Sequence, residues 1–301
     1  MLTATSGRPT SCFIDHEALR WNFRRIKEKV GPQVKILSMV KANAYGHGAI
    51  RVAQTLAVEK TDAFGVATLE EAVELRQAKI RQPIIVLAGT YPEQSGEFVK
   101  HDLTPVVHDL ETLKNLAAAI ERQSATLNIH LEIDTGMGRT GFLAAAANLW
   151  IPELQRLKAL KIEGVFSHFS DAESAGEPYS TNQVRDFLSI IKSLGEAGIN
   201  PPLIHMAKSA ALITVPDSHF AMVRPGLALY GMYPAPPLLA EIELKPVLSW
   251  KTRVLQLKRV PKGTSLGYGR TFVTARESLI ATLPVGYADG TSVLFPIADG
   301  C

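Results

Sequence analysis

The sequence of 301 residues has almost no cysteine: Cys12 and Cys301, one near each end, are the full complement. Two thiols so placed exclude a disulfide framework and fit a reducing compartment. One sign of charge does not dominate either, since 32 Lys and Arg face 29 Asp and Glu for a net charge of +3. Without a basic block or an acidic tail, nucleic acid is not an expected partner. No apolar run approaches the ~18 residues that span a bilayer, so no membrane association is expected. The opening MLTATSGRPTSCFIDHEALR lacks the basic-then-apolar order of a secretory signal. A cytoplasmic location is the default. His16, His101, His108, His130 and His219 are dispersed, with no HxxxH or HxH spacing, so no metal site is expected.

The remaining sequence is strongly patterned. Strand-like apolar runs recur as VKILSMV (34–40), AFGVAT (63–68), PIIVLAG (83–89), TPVVH (104–108), TLNIHLEID (126–134), KIEGVFSHF (161–169), LIHMA (203–207) and FAMVRPG (220–226). Helix-like stretches separate most of them, such as 69–80, 109–123 and 181–198, with Asp109 and Ser180 as N-caps and Gly198 as a stop. Apolar strands alternating with helices mean parallel strands covered by helices. Eight such units predict a (β/α)8 TIM-type barrel over residues 9–238. An open doubly wound sheet is the runner-up, weakened by the lack of GxGxxG after the first strand. Residues 15–30 read as an extra helix packed across the barrel.

After Gly231 the pattern changes. The proline-rich stretch 232–246 reads as a linker, and 239–301 as the start of a mainly β domain that stops short. So small a β domain would struggle to close a core, and the chain reads as a fragment of a longer protein.

In a barrel, chemistry sits at the carboxyl ends of the strands. The polar residues predicted there are Lys41, Arg139, His168, His205, Ser209 and Arg224. Lys41 alone would be an ordinary solvated strand end. Converging with these neighbours, it could form a Schiff base with an aldehyde. Ser209, the amides around Gly226 and nearby Tyr45 offer a phosphate cradle in the region after the last two strands. A lysine beside a phosphate cradle is what pyridoxal 5′-phosphate requires.

The segments RPTSCFIDHEALRWNFRRIKE, SMVKANAYGHG, IDTGMGRTGF, HMAKSAA, MVRPGLALYGMYP, LGYGRTF and LPVGYADG follow one another over residues 8–290. In kind and order this series resembles the signatures of alanine racemase. The resemblance implies interconversion of L- and D-alanine, supplying D-alanine for peptidoglycan, by a cytoplasmic homodimer with shared active sites. It implies that Lys41 carries pyridoxal phosphate and is one catalytic base, with Tyr268 of the partner subunit as the second. It further implies that Tyr45, Ser209, Gly226 and Leu227 bind the phosphate. Arg224 would face the pyridine nitrogen, keeping the ring unprotonated. Arg139 would lie near the phenolic oxygen and the substrate carboxylate and lower the pKa of Tyr268. His168 would sit beside Tyr268, and Tyr287 would line the substrate entrance.

One position departs from the family pattern. Glu132 stands where many members carry a carbamylated lysine, and its carboxylate is expected to hold Arg139 directly. Other readings are a broad-specificity or serine racemase, a non-catalytic pyridoxal-phosphate-binding protein, and a barrel-type decarboxylase. LGYGRTF and LPVGYADG argue against the binding protein, and Arg224 against the decarboxylase.

Overall fold

A computed structural model describes residues 7–173, 178–236, 238 and 241–290. The chain divides into two compact units, one formed by Asp15–Val247 and the other by the residues before Asp15 together with those after Val247. The expected boundary at 238/239 therefore lies inside the larger unit. The first strand, β1 (Ser11–Ile14), belongs to the smaller one.

The larger unit opens on α1 (His16–Val30). Asp15 sets its start, accepting from the Glu17 and Ala18 amides at 2.8 and 3.0 Å. The helix buries Leu19, Phe23 and Ile26 on one face, together with Asn22. Eight strands follow: β2 (Lys35–Met39), β3 (Ala63–Val66), β4 (Ile84–Val86), β5 (Thr104–Val107), β6 (Leu127–Asp134), and, after the two-residue β7 (Phe142–Leu143), β8 (Leu160–Ser167), β9 (Leu203–Lys208) and β10 (Met222–Arg224). Leaving β7 aside, each pairs in parallel with the next, and β10 pairs back onto β2. The sheet is thus a closed eight-stranded barrel and not an open one. β3, β4 and β5 are buried at every position, as strands with a packed interior and a helical cover must be. Leu37, Met39, Ala63, Ile85, Val106, Phe166 and Met222 form a core inside it.

After β2 comes α2 (Lys41–Tyr45), a single turn whose inner residues have non-helical dihedrals, and the cover consists of α3 (Ala49–Val58), α4 (Leu69–Gln77), α5 (Ser95–Lys100), α6 (Leu110–Arg122), α7 (Ala147–Leu154), α8 (Pro178–Glu196) and α9 (Ala211–Thr214). Thr68 and Glu71 make a reciprocal capping box on α4, and Asp109 caps α6 through the Thr112 amide at 2.7 Å. Ser180 is not an N-cap. It lies inside α8, where its hydroxyl donates to the Asp171 carbonyl. Gly198, at φ +77°, follows the end of α8. Among the described residues no helix is long and apolar enough to cross a membrane.

The stretch expected as a linker is packed onto the barrel unit. Leu238, Ile242, Leu244 and Val247 are buried. The buried Asn22 amide explains why: it donates to the Leu229 and Lys245 carbonyls at 3.0 and 2.8 Å and accepts from the Lys245 amide at 2.7 Å. Residues 237, 239 and 240 of that stretch lie outside the described residues.

In the smaller unit β1 pairs antiparallel with β11 (Leu248–Lys251). β12 (Gln256–Val260) pairs with β15 (Ser278–Thr282), and between them β13 (Ser265–Leu266) and β14 (Phe272–Val273) form a hairpin. The mainly β character expected after the barrel is found. The segment after Gly290, where the domain was expected to stop short, lies outside the described residues.

Candidate active site

Lys41 follows the first barrel strand into an unusual turn. Ala42, Asn43, Ala44 and Tyr45 all have φ between 51° and 54°, one left-handed turn built without glycine. Such a conformation costs about 1–2 kcal/mol per residue, so something must hold it. The Ala42 amide donates to Glu71 Oε1 at 2.6 Å, and Asn43 Oδ1 accepts from the Ala49 amide at 2.8 Å. The Ala44 amide donates back to the Val40 carbonyl at 2.8 Å. The turn brings Lys41 and Tyr45 to one cavity of about 310 Å³, formed by residues at and just after the carboxyl ends of the barrel strands.

Arg139, His168, Ser209, Arg224, Gly226 and Leu227 line the same cavity, so it gathers these predicted site residues with Lys41 and Tyr45. Lys41, Arg139, Lys208 and Arg224 outnumber the carboxylates of Glu132 and Glu173, an excess of positive charge suited to an anionic ligand. On one side Ser209 Oγ accepts from the Gly226 and Ala228 amides at 2.9 and 3.2 Å, leaving its own hydrogen to donate. Gly226 has no room for a side chain, because a Cβ there would meet Tyr45 Oη at 2.6 Å. Burial raises the Tyr45 phenol above its usual pKa. Beneath it Tyr230 is buried and donates to the Met39 carbonyl at 2.8 Å, a packing role.

Arg224 is the buried cation of the site. It donates to His205 Nδ1 at 2.8 Å, the Ser167 carbonyl at 2.8 Å, the Met206 carbonyl at 3.1 Å and His168 Nδ1 at 3.2 Å. Burial pulls its pKa down to about 10, opposed by Glu132 and assisted by Arg139, which leaves it charged at neutral pH. A guanidinium can only donate, so both Nδ1 atoms accept and each ring carries its hydrogen on Nε2. Burial, then the charges of Arg224, Arg139, Lys208 and Lys41, push His168 down to about 2, which keeps it neutral. His205 is neutral for similar reasons, burial first and Arg224 second.

Glu132 does not reach for Arg139. Its Oε2 accepts from Thr140 Oγ1 at 2.9 Å and lies 2.8 Å from His108 Nδ1. Arg139 is exposed and has no hydrogen-bonded partner among the described residues. The nearer hydroxyl and imidazole take the carboxylate that was expected to steer the guanidinium.

Tyr268 and Tyr287 belong to the smaller unit, where their side chains are 93% and 61% exposed. Sequence reasoning missed Lys208 and Glu173 as cavity residues. The signal for Lys208 was available, a second lysine at a strand end in HMAKSAA, but nothing local marks Glu173. Among the described residues no group of His, Cys, Asp or Glu could hold a metal ion.

A parallel barrel with a lysine amine and a buried arginine at one cationic mouth defines an enzyme of the barrel class. Residues 14–234 match the family model described as alanine racemase, N-terminal domain, and residues 247–296 that for the C-terminal domain. Alanine racemase 1 of Caldanaerobacter subterraneus is 44% identical over 284 residues, covering 94% of this chain and 73% of its own. The alanine racemase of Halothermothrix orenii is 44% identical over 283 residues, 94% of this chain and 75% of that protein. Among solved structures, alanine racemase of Clostridium difficile superposes with TM-score 0.86 at 35% identity, covering 94% of this chain and 75% of that one. The enzyme from Streptomyces lavendulae gives 0.89 at 33% identity, again covering 94% of this chain and 75% of that one. The chain belongs to the alanine racemase family and is an amino-acid racemase.

Proposed function

We propose that the protein interconverts L-alanine and D-alanine with pyridoxal 5′-phosphate as cofactor, as a cytoplasmic homodimer supplying D-alanine for peptidoglycan. The observation that carries this reading is one cavity joining the Lys41 amine, the Ser209–Gly226 cradle and the buried Arg224. These residues fit the cofactor. A hydroxyl with a free hydrogen beside a glycine that excludes Cβ suits a phosphate, and the excess of cations suits its charge. Lys41 would hold the aldehyde end, Tyr45, Ser209, Gly226 and Leu227 the phosphate, and Arg224 the pyridine nitrogen with His168 beside it.

When bound, the cofactor supplies a conjugated ring that delocalises the electron pair left by a departing α-hydrogen. The chain's own residues do the rest. Lys41 Nζ carries a proton on one face of the α-carbon, and Tyr268 Oη of the partner subunit carries one on the other. Racemisation needs both, because a proton must leave one face and return to the opposite one. The nearly complete exposure of Tyr268 supports its service to a second copy. Arg139, a cavity-lining cation with no bound carboxylate, would take the substrate carboxylate, and Tyr287 would line the entrance. Arg224 holds its hydrogens against four acceptors and so presents a donor that does not give up its proton.

The test is the approach of L-alanine to a racemic mixture in the presence of the cofactor, with Lys41→Ala for comparison. Turnover by the unaltered protein and a loss of at least about 10³-fold in Lys41→Ala are expected. A higher kcat/KM for L-serine than for L-alanine would move the reading to a serine racemase.

A further inference from the structure

The cavity contains a second primary amine. Lys208 closes β9 as Lys41 follows β2, and both line the same space. Their surroundings differ. Lys208 Nζ donates to Glu173 Oε1 at 2.9 Å, while Glu173 Oε2 accepts from the Ala172 amide at 2.8 Å. Burial by itself would raise the Glu173 carboxyl, but the Ala172 amide and the Lys208 ammonium together hold it below its ordinary range. Among the described residues Lys41 has no carboxylate partner. Lys208 is also the chain neighbour of Ser209, whose hydroxyl sits in the cradle.

An amine condenses with an aldehyde only as the free base: a C–N double bond forms and the aldehyde oxygen leaves as water. An ammonium paired to a carboxylate has no lone pair to offer. We propose that Glu173 keeps Lys208 as a spectator ammonium, so that the aldehyde of a phosphorylated ligand is taken by Lys41 while Lys208 acts as a fixed cation toward the ligand's phosphate. This inference rests on the reading of the cavity as a pyridoxal-phosphate site. It makes Glu173 a selecting residue, acting through Lys208, and gives Lys208 a binding role.

The experiment compares the unaltered protein, Glu173→Gln, Lys41→Ala and the double variant Lys41→Ala/Glu173→Gln. Each is incubated with one equivalent of pyridoxal 5′-phosphate and treated with borohydride, which adds hydride to the imine carbon while solvent protonates nitrogen. Labelled lysines are then mapped by mass, with Lys262, exposed and without a carboxylate partner among the described residues, as the internal reference. Label on Lys41 in the unaltered protein is expected, with Lys208 labelled no more than Lys262. The Lys208-to-Lys262 ratio should rise by about fivefold or more in Glu173→Gln and in the double variant, and stay low in Lys41→Ala. An unchanged ratio with and without Glu173 would overturn the selecting role. Absence of label on Lys41 in the unaltered protein would count against the proposed function instead, and the Lys208 ratio reads out in either case.

The binding role is tested with Lys208→Gln. The Kd for pyridoxal 5′-phosphate should rise about fivefold while that for pyridoxal, which lacks the phosphate, stays constant. Equal weakening of both would remove the phosphate from the assignment.

Discussion

Arg224 donates to His205 Nδ1 at 2.8 Å, and this contact sets the direction of a buried polar chain. His205, left with its hydrogen on Nε2, donates to His130 Nδ1 at 2.9 Å. His130 Nε2 then carries a hydrogen toward Glu163 Oε2 at 4.0 Å, with no closer partner. Both rings are fully buried, and Gly164 makes the room, since a Cβ there would stand 2.3 Å from His130 Cε1.

A chain of neutral histidines makes stability depend on pH. Burial, then the Arg224 charge, push His130 down to about 3, whereas in the unfolded chain it titrates near its ordinary value of 6.5. The unfolded state therefore binds the extra proton first, and stability is lost as pH falls from 6.5 toward 3. Each such histidine contributes a slope of about 1.4 kcal/mol per pH unit in that window. Urea unfolding between neutral and mildly acid pH should give a shallower slope for His130→Gln, by roughly one proton. Parallel slopes would show that His130 takes up its proton in the folded state.

Replacing Arg224 by Gln strands acceptors that water does not reach. The His205 ring and the Ser167 and Met206 carbonyls lose their donor. A buried unsatisfied group costs about 1–3 kcal/mol, so a stability loss of about 3 kcal/mol or more is expected. Chemical denaturation with an unchanged m-value would measure it. A loss below about 1 kcal/mol would mean that other donors replace the guanidinium.

Much of this was legible in the sequence. All eight barrel strands coincide with apolar runs, and Lys41, Ser209 and Arg224 were placed at strand ends from those runs. What was not legible depends on distance or on backbone outliers. Ser11 opposite Lys251 pairs residues far apart in sequence, which no local pattern records. Glu132 was matched to Arg139 through the resemblance to the family, while the fold offered it Thr140 and His108. Ser180 looked like a cap because of its residue type, yet the helix already begins at Pro178, whose fixed φ suits a first turn.

The left-handed turn after Lys41 was equally hidden, because Ala42, Ala44 and Tyr45 have no preference for positive φ. Asn43 is the one residue there that tolerates it and also holds the Ala49 amide. Asn43→Val should therefore destabilise the protein by about 1–2 kcal/mol and lower the yield of borohydride label on Lys41. Thermal unfolding and the mapped label measure the two effects. Unchanged values of both would mean that the turn is held without Asn43.

Gly226 offers a test of the cradle without touching a charge. A methyl group there would press on Tyr45 Oη, at 2.6 Å. Gly226→Ala should weaken cofactor binding by about tenfold or more, roughly 1.4 kcal/mol. The Kd for pyridoxal phosphate, taken by absorbance titration, checks this. Tight binding in Gly226→Ala would place the phosphate elsewhere.

On the proposed function, Lys41 of one subunit works with Tyr268 of the other. Neither Lys41→Ala nor Tyr268→Phe homodimers should racemise alanine at an appreciable rate. Mixed in equal amounts and allowed to exchange, half of the dimers are mixed and each mixed dimer has one intact site. Activity should then recover to about a quarter of that of the unaltered protein. No recovery, with mixed dimers demonstrated by mass, would contradict the shared site and leave both bases to be found within one chain.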